Sequence, residues 1–151
     1  MKLDLIRYFL LMAVVSAFLS GCSAMNASGL RITGDGVMQA GSSTLTWQQV
    51  RSPLFTSAEE AETYVKNLSL GGFTDWRLPT SEELLDFYFS FDFGGSSAKA
   101  DAMGIKVEGN YWFKDEEGSP QTGAWKDDGD ICEITRGYRR SDSGYVRAVR
   151  P

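Results

Sequence analysis

The chain has 151 residues, of which 15 are basic and 20 acidic, and it contains no histidine. A formal net charge of −5 argues against broad binding to nucleic acid or to anionic lipid. Without histidine the chain lacks the usual general base near neutral pH and the commonest metal ligand, which excludes Ser-His-Asp, Cys-His and histidine-zinc chemistry. We therefore expect no cofactor and no metal.

The N-terminal segment has the three parts of a bacterial lipoprotein signal. Lys2 and Arg7 form a basic start, Leu10 to Leu19 are almost wholly apolar, and the small residues Ser20-Gly21 precede Cys22. The apolar run is short for a helix that spans a bilayer. The alternatives are an ordinary secretory signal with a coincidental cysteine, or a short anchor helix.

Resemblance to lipoprotein signals implies that residues 1–21 are removed and that Cys22 becomes a lipidated N-terminus. Several acyl chains, palmitate among them, give stable anchoring where one chain is marginal. Ser23 stands where many inner-membrane lipoproteins carry aspartate, so we expect the outer membrane, on its periplasmic or its surface face. Residues 22–28 then form a short tether, and residues 29–151 one domain of ordinary size.

With Cys22 lipidated, Cys132 is the other cysteine of the chain and has no intrachain partner. It lies in Ile131 to Ile134, a short strand-like run, where a buried apolar role is expected. An intermolecular disulfide or a redox role is the alternative.

Two helices are predicted, each opened by a capping box. Thr56 with Glu59 opens the first helix, which Gly71-Gly72 ends, and Thr80 with Glu83 opens the second. Past about residue 89 the phenylalanines alternate at period two, which favours extended chain there. The aromatic cluster is expected in the core, with lipid contact as the alternative; it comprises Phe87, Phe89, Phe91 and Phe93.

Short strands are predicted before and after the helices. They are Leu30 to Ile32, Thr44 to Trp47, Tyr111 to Phe113, Ile131 to Ile134 and Tyr145 to Val149. Residues 94–108 have the composition of a loop. This order of elements predicts the α+β class with a small antiparallel sheet.

The run Leu70-Gly71-Gly72-Phe73-Thr74-Asp75-Trp76-Arg77-Leu78-Pro79-Thr80-Ser81-Glu82-Glu83-Leu84 resembles the signature of Lcl C-terminal-like domains, which are bacterial domains of largely unknown function. Outer matches occur in chain order at Gly34 to Val37, Leu45 to Gln48, Ala58 to Ala61, Tyr64, Tyr111-Trp112 and Gly144 to Arg150. The resemblance implies a fold similar to C-type lectins and formylglycine-generating enzymes. In such folds two helices pack on a small twisted antiparallel sheet with a long irregular loop region.

Many relatives carry a cysteine on the first helix and another in the last strand, where this chain has Val65 and Ala148. The resemblance therefore implies an apolar contact in place of a disulfide. A copper oxidase reaction like that of the formylglycine-generating relatives is disfavoured, because its metal site needs a cysteine pair that this chain lacks.

We call the run Leu70 to Leu84 the central motif and interpret it as structural. Its indole and leucine side chains bury apolar area, its proline fixes a turn, and its threonine caps a helix. Arg77 is expected to pair with a carboxylate or with backbone carbonyls. The structural positions are Trp47, Trp76, Arg77, Leu78, Pro79 and Thr80.

If the lectin-like analogy holds, a ligand meets the irregular segment between Trp112 and Asp130. There an exposed Trp125 can stack on a sugar ring, while Asp127 and Asp128 with Asp130 accept hydrogen bonds from hydroxyls or ligate calcium. Their spacing matches no EF-hand loop, so a solvated acidic turn is the alternative. Paired carboxylates that hydrolyse a glycoside are a further, weaker reading.

One local basic cluster follows, formed by Arg136, Arg139 and Arg140 with Tyr138. It is a candidate contact for sulfated polysaccharide or anionic head groups. The alternative is a solvated hairpin turn around Gly137.

These observations favour a non-enzymatic recognition module anchored in the membrane by lipid, with glycan, cell wall or another envelope protein as its partner and no nucleic acid. The alternative is a structural or assembly lipoprotein that docks on an outer-membrane protein complex. A hydrolase is the third reading.

Overall fold

The computed structural model describes residues 31–40, 43–92, 97–127 and 136–151. Several predictions fall outside these ranges: they concern the signal segment with Cys22, Phe93 of the aromatic cluster, Asp128, Asp130 and the strand Ile131 to Ile134 with Cys132. The described elements are β1 (Arg31–Gly34), β2 (Val37–Gln39), β3 (Thr46–Gln48), α1 (Ala58–Asn67), α2 (Ser81–Asp92), α3 (Ser97–Ala102), β4 (Tyr111–Lys114), β5 (Pro120–Asp127), β6 (Arg136–Arg140) and β7 (Val149–Arg150). None of the helices in these ranges has the length and apolarity needed to cross a bilayer.

The strands form two antiparallel sheets, which confirms the α+β class. One sheet has the order β1-β2-β3-β7 and the other the order β4-β5-β6. The last strand returns to the first sheet, where Trp47 is in register with Val149. An isolated parallel bridge between Tyr111 and Tyr145 links the second sheet to the segment that leads into β7.

Helix α1 begins with a capping box one position later than predicted. The Ser57 side chain accepts a hydrogen bond from the Glu60 amide, and the Glu60 carboxylate accepts one from the Thr56 amide, at 3.2 and 3.1 Å. The helix ends at Asn67, and Gly71-Gly72 form a separate turn beyond it. Because adjacent Thr56 and Ser57 are both good caps, composition alone does not choose between them.

Helix α2 begins as predicted. The Glu83 amide donates to the Thr80 hydroxyl at 3.2 Å, and the Glu83 carboxylate accepts from the Thr80 amide at 2.9 Å. The predicted change to extended chain near Phe89 is wrong, since the helix continues to Asp92. Helix α3 likewise lies inside the predicted loop 94–108. The prediction of an irregular segment between Trp112 and Asp130 is also wrong in part, because β5 forms a regular strand within it.

One core cluster lies where α2 meets the two sheets. Trp47 of β3 packs on Phe87 with ring centroids 4.6 Å apart, and Phe87 packs on Phe91 at 4.8 Å. Phe87 and Phe91 are four residues apart and so share one helical face, which explains why they are both buried. The expected core role of these two rings is confirmed. Other buried members are Met38, Leu84, Ile105, Tyr111 and Phe113.

The second core cluster joins α1 to the chain around the central motif. Trp76, Leu78 and Trp112 are buried in it with Val146. Val65 of α1 and Ala148, which precedes β7, are both buried members of this cluster.

Candidate functional site

Strand β6 forms the outer edge of the second sheet and holds the predicted basic cluster. Its register pairs Tyr138 with Trp125 and Arg140 with Gly123. Directly paired residues share one face of a sheet and side chains alternate along a strand, so Trp125, Tyr138 and Arg140 lie on one face. Arg139, paired with Ala124, lies on the other face. The predicted arginine cluster is therefore divided between the two faces.

The absence of a side chain at Gly123 allows the Tyr138 ring to pack on the sheet. The Tyr138 ring lies over this glycine, and its hydroxyl donates to the Thr122 carbonyl at 2.8 Å. A Cβ at Gly123 would stand 2.5 Å from the Tyr138 Cε2 and would overlap the Arg139 carbonyl oxygen. Tyr138 nevertheless keeps 40% of its surface exposed. Partial burial raises the pKa of its hydroxyl, so the ring is neutral at physiological pH.

Trp125 lies beneath this exposed ring and is partly buried against the core. Its ring centroid is 5.2 Å from Phe113, 5.5 Å from Tyr138 and 6.1 Å from Tyr88. Three aromatic neighbours restrict access to the indole faces. The accessible ring on this face is Tyr138, which the sequence analysis named only as a companion of the arginines.

The remaining basic residues flank Tyr138. Arg139 and Arg140 are both exposed, and Arg136 begins β6 in register with Asp127, the last residue of β5. We call the side chains of Tyr138 and Arg140, with the part of Trp125 that they leave accessible, the β6 face.

In the acidic turn before β5, the Asp115 carboxylate forms hydrogen bonds that stabilise the turn. The Asp115 carboxylate accepts from the Ser119 amide at 2.7 Å and from the Gln121 side chain at 3.1 Å. Lys114 pairs with Glu62 of α1 at 3.3 Å. In the part of the chain that the structure describes, no three His, Cys, Asp or Glu side chains come together to hold a metal ion. The calcium hypothesis concerned Asp127, Asp128 and Asp130, of which Asp128 and Asp130 lie outside that part.

Arg77 joins the central motif to α2, as expected of a residue that pairs with a carboxylate or a carbonyl. Its guanidinium makes two hydrogen bonds of 2.7 Å to Glu83 and one of 3.2 Å to the Leu78 carbonyl. Its backbone exchanges two 3.0 Å hydrogen bonds with Val149. The pair holds the pKa of Glu83 below its usual range.

The rest of the motif is tied to neighbouring segments. Asp75 accepts two hydrogen bonds from Arg150, at 2.7 and 3.0 Å, and the Arg150 guanidinium lies 3.8 Å from the centroid of the Phe73 ring. This pairing lowers the pKa of Asp75. The Pro79 carbonyl accepts from the Lys114 amide at 2.8 Å. These contacts connect the motif to β7 and to β4.

Arg147 has a role that the sequence analysis missed. It is only 1% exposed, and its guanidinium donates to the backbone carbonyls of Gln48, Gln49 and Lys106. It also lies 3.4 Å from the Tyr111 hydroxyl. Three carbonyl dipoles replace a carboxylate partner and connect the segment of Arg147 to residues 48–49 and to Lys106. The only sequence signal was its place in the run Gly144 to Arg150, which matches the family pattern.

The fold is thus an α+β domain whose two small antiparallel sheets are joined through buried tryptophans and a buried arginine. A family model described as the Lcl C-terminal domain matches residues 36–150, and the chain belongs to that family. Comparisons with curated proteins and with solved structures found no match.

Proposed function

We propose that this protein is a non-catalytic recognition module of the bacterial envelope, anchored in the outer membrane through lipid on Cys22. Its ligand is an anionic glycan, cell-wall polymer or envelope protein that meets the β6 face. The proposal includes a C-type lectin-like arrangement, with the second sheet and its connections on the ligand side.

The observation that carries the proposal is an exposed aromatic ring beside an exposed arginine on one face of an outer strand. Tyr138 is held by Gly123 and by its hydrogen bond to Thr122, so its ring is ordered before any ligand arrives. A preorganised ring loses little entropy on binding, and a neighbouring guanidinium recognises sulfate, carboxylate or phosphate. Arg140 supplies that charge on the same face.

The carboxylates with the most specific contacts favour recognition over glycoside hydrolysis. A glycosidase needs one carboxylic acid whose pKa is raised and a second carboxylate across the scissile bond. Asp75 and Glu83 instead have lowered pKa values because each is bound by an arginine.

The partial burial of Trp125 favours a second candidate, an assembly lipoprotein that docks on an outer-membrane protein complex. A sugar-stacking tryptophan exposes a full ring face, whereas Trp125 contacts three aromatic rings. An aromatic cluster with one accessible member, Tyr138, also suits a protein interface.

The test is binding of the full-length protein, purified in mild detergent, to immobilised sulfated polysaccharides, neutral glycans and peptidoglycan fragments. Arg140→Ala is compared with Arg139→Ala, the matched change on the opposite face. We expect saturable binding that Arg140→Ala weakens about fivefold or more while Arg139→Ala has a small effect. If no glycan binds and the protein copurifies from intact envelopes as a stoichiometric subunit of an outer-membrane protein complex, the second candidate is correct. If neither occurs, the recognition proposal fails.

The anchor has its own test. Cells that express the full-length chain and are fed radiolabelled palmitate should give a labelled protein in the outer-membrane fraction. Cys22→Ser should abolish both the label and the fractionation, whereas Cys132→Ser should leave both unchanged. Labelling of the Cys22→Ser protein would contradict lipidation at this residue.

A further inference from the structure

Among the residues that the structure describes, the backbone of β6 has an open edge, and its direction follows from one hydrogen bond. The Ser141 amide donates to the Thr122 carbonyl at 2.9 Å, which makes these two a hydrogen-bonded pair of the β5–β6 ladder. Such pairs alternate along antiparallel strands, so residues 139 and 137 also direct their amides and carbonyls toward β5. Tyr138 and Arg140 direct theirs away from it. Within the described residues, no bridge and no backbone hydrogen bond lies on that outer side.

The other outer strands are closed or interrupted. The outer side of β4 is covered, because the Trp112 amide donates to the Tyr145 carbonyl and the Lys114 amide to the Pro79 carbonyl. Strand β7 is covered by the two hydrogen bonds between Val149 and Arg77. The register of β1 shifts between residues 32 and 34, an irregularity that disfavours regular pairing with a further strand. The regular open edge of the described fold is therefore β6.

We propose that β6 receives an extended acidic segment of another envelope protein as a fourth, antiparallel strand of the second sheet. This inference rests on the proposed recognition function and specifies its ligand. Tyr138 and Arg140 then form backbone hydrogen bonds to the incoming strand, while the side chains of that strand lie on the β6 face in alternation.

The arginines of β6 indicate which strand can pair with it. A second copy of this chain, paired antiparallel about Tyr138, would place Arg136 directly opposite Arg140, and like charges opposite each other destabilise a sheet. A strand with an apolar residue opposite Tyr138 and acidic residues two positions to either side instead has an acidic residue at the register position of each of these two arginines. The favoured partner thus has the alternation acidic, any, apolar, any, acidic.

The test uses full-length protein in mild detergent and a fluorescent blocked peptide with the sequence Thr-Glu-Thr-Val-Thr-Glu-Thr. The valine amide of this peptide faces β6 and is required for pairing, whereas the amides of the flanking threonines point outward. We expect saturable binding that N-methylation of the valine abolishes and that N-methylation of a neighbouring threonine leaves nearly unchanged. Equal effects of the two N-methyl groups would overturn strand addition.

Exchanging charges between Arg140 and the peptide tests whether the side chains of the incoming strand contact β6. Arg140→Glu should weaken binding of the acidic peptide about fivefold and should strengthen binding of the matched peptide with Lys in place of Glu. Arg139→Glu, on the opposite face, should change both affinities much less than Arg140→Glu does. If the peptide fails to bind while an anionic glycan binds through Arg140, strand addition is wrong and the recognition function stands. If peptide, glycan and envelope protein all fail, both proposals are wrong.

Discussion

At the scale of single residues, Glu83 explains why the central motif has its spacing. Its carboxylate accepts from both terminal nitrogens of Arg77 and from the Thr80 amide. One side chain thus caps α2 and fixes the arginine that bonds to the last strand through its backbone. The positions three and six residues before Glu83 are determined together, which a cap alone would not require.

Glu83→Gln should lower the free energy of unfolding by about 1 kcal/mol at pH 7, because the cap and the arginine both lose a charged acceptor. The pairing lowers the folded-state pKa of Glu83, so its stabilisation is present above the unfolded pKa and is lost as pH falls through the folded value. The difference between wild type and variant should therefore shrink below about pH 4. Urea unfolding at several pH values measures this.

The matched control is Glu82→Gln, which changes an exposed carboxylate in the same helical turn. It should alter stability by only a few tenths of a kcal/mol. If the two variants show the same pH dependence, Glu83 has no special part in acid stability.

For Arg147, the shape of the side chain should matter more to stability than its charge. Arg147→Lys keeps the charge but loses the planar fork that reaches the carbonyls of Gln48, Gln49 and Lys106. We expect a loss of about 2 kcal/mol or more in unfolding free energy, since one buried and two partly buried hydrogen bonds to carbonyls are lost. The exposed change Arg31→Lys is the control and should have little effect. Equal stability of the two variants in urea would contradict the role given to Arg147.

At the scale of elements, the β5–β6 pair depends on a residue without a side chain. Gly123→Ala should lower the unfolding free energy by about 2 kcal/mol and displace Tyr138, because the new methyl overlaps the Tyr138 ring and the Arg139 carbonyl. Urea unfolding and the near-ultraviolet circular dichroism of the Trp125 cluster report the two effects. Gly72→Asn is the control, since this position is open and asparagine tolerates its φ of +81°. Unchanged aromatic dichroism in Gly123→Ala would contradict the proposed packing of Tyr138.

The elements also show what local sequence does and does not predict. The box of Thr80 and Glu83 was predictable because it depends on residues three apart. The length of α2 was not, since alternating phenylalanines fit a strand as well as a helix until Tyr111 and Trp47 provide the surface that buries one face. The pairing of Trp47 with Val149 joins distant parts of the chain, so local patterns predicted short strands but not their division into two sheets.

The candidate site was predictable in composition and not in geometry. The aromatic and basic residue types of β6 were visible in the sequence, but their division between two faces depends on the register with β5. The partial burial of Trp125 depends on Tyr88 of α2, which no spacing rule connects to it. Arg147 escaped detection because arginine is seldom buried, so nothing in its neighbours marks it as a core residue.

At the scale of the whole molecule, the second core cluster brings together residues of α1 and the residue that precedes β7. Val65 and Ala148 are both buried in the second core cluster, at the positions where the family resemblance implies cysteines in many relatives. The double variant Val65→Cys/Ala148→Cys should therefore form a disulfide when it is expressed into an oxidising envelope. Such a bridge closes a long loop and restricts the unfolded chain, for about 4 kcal/mol of stabilisation in the chain-entropy account.

The expected result is a higher Tm for the oxidised double variant than for wild type, and a Tm near or below that of wild type after reduction. The double variant, the single control variant and the reference protein all carry Cys132→Ser. Peptide mapping under non-reducing conditions then assigns the bridge unambiguously. The single change Val65→Cys is the control and should show no redox dependence. If the double variant stays reduced under conditions that oxidise exposed thiols, the first helix and the last strand do not face each other at these positions, and the apolar contact does not stand where the relatives' bridge would be.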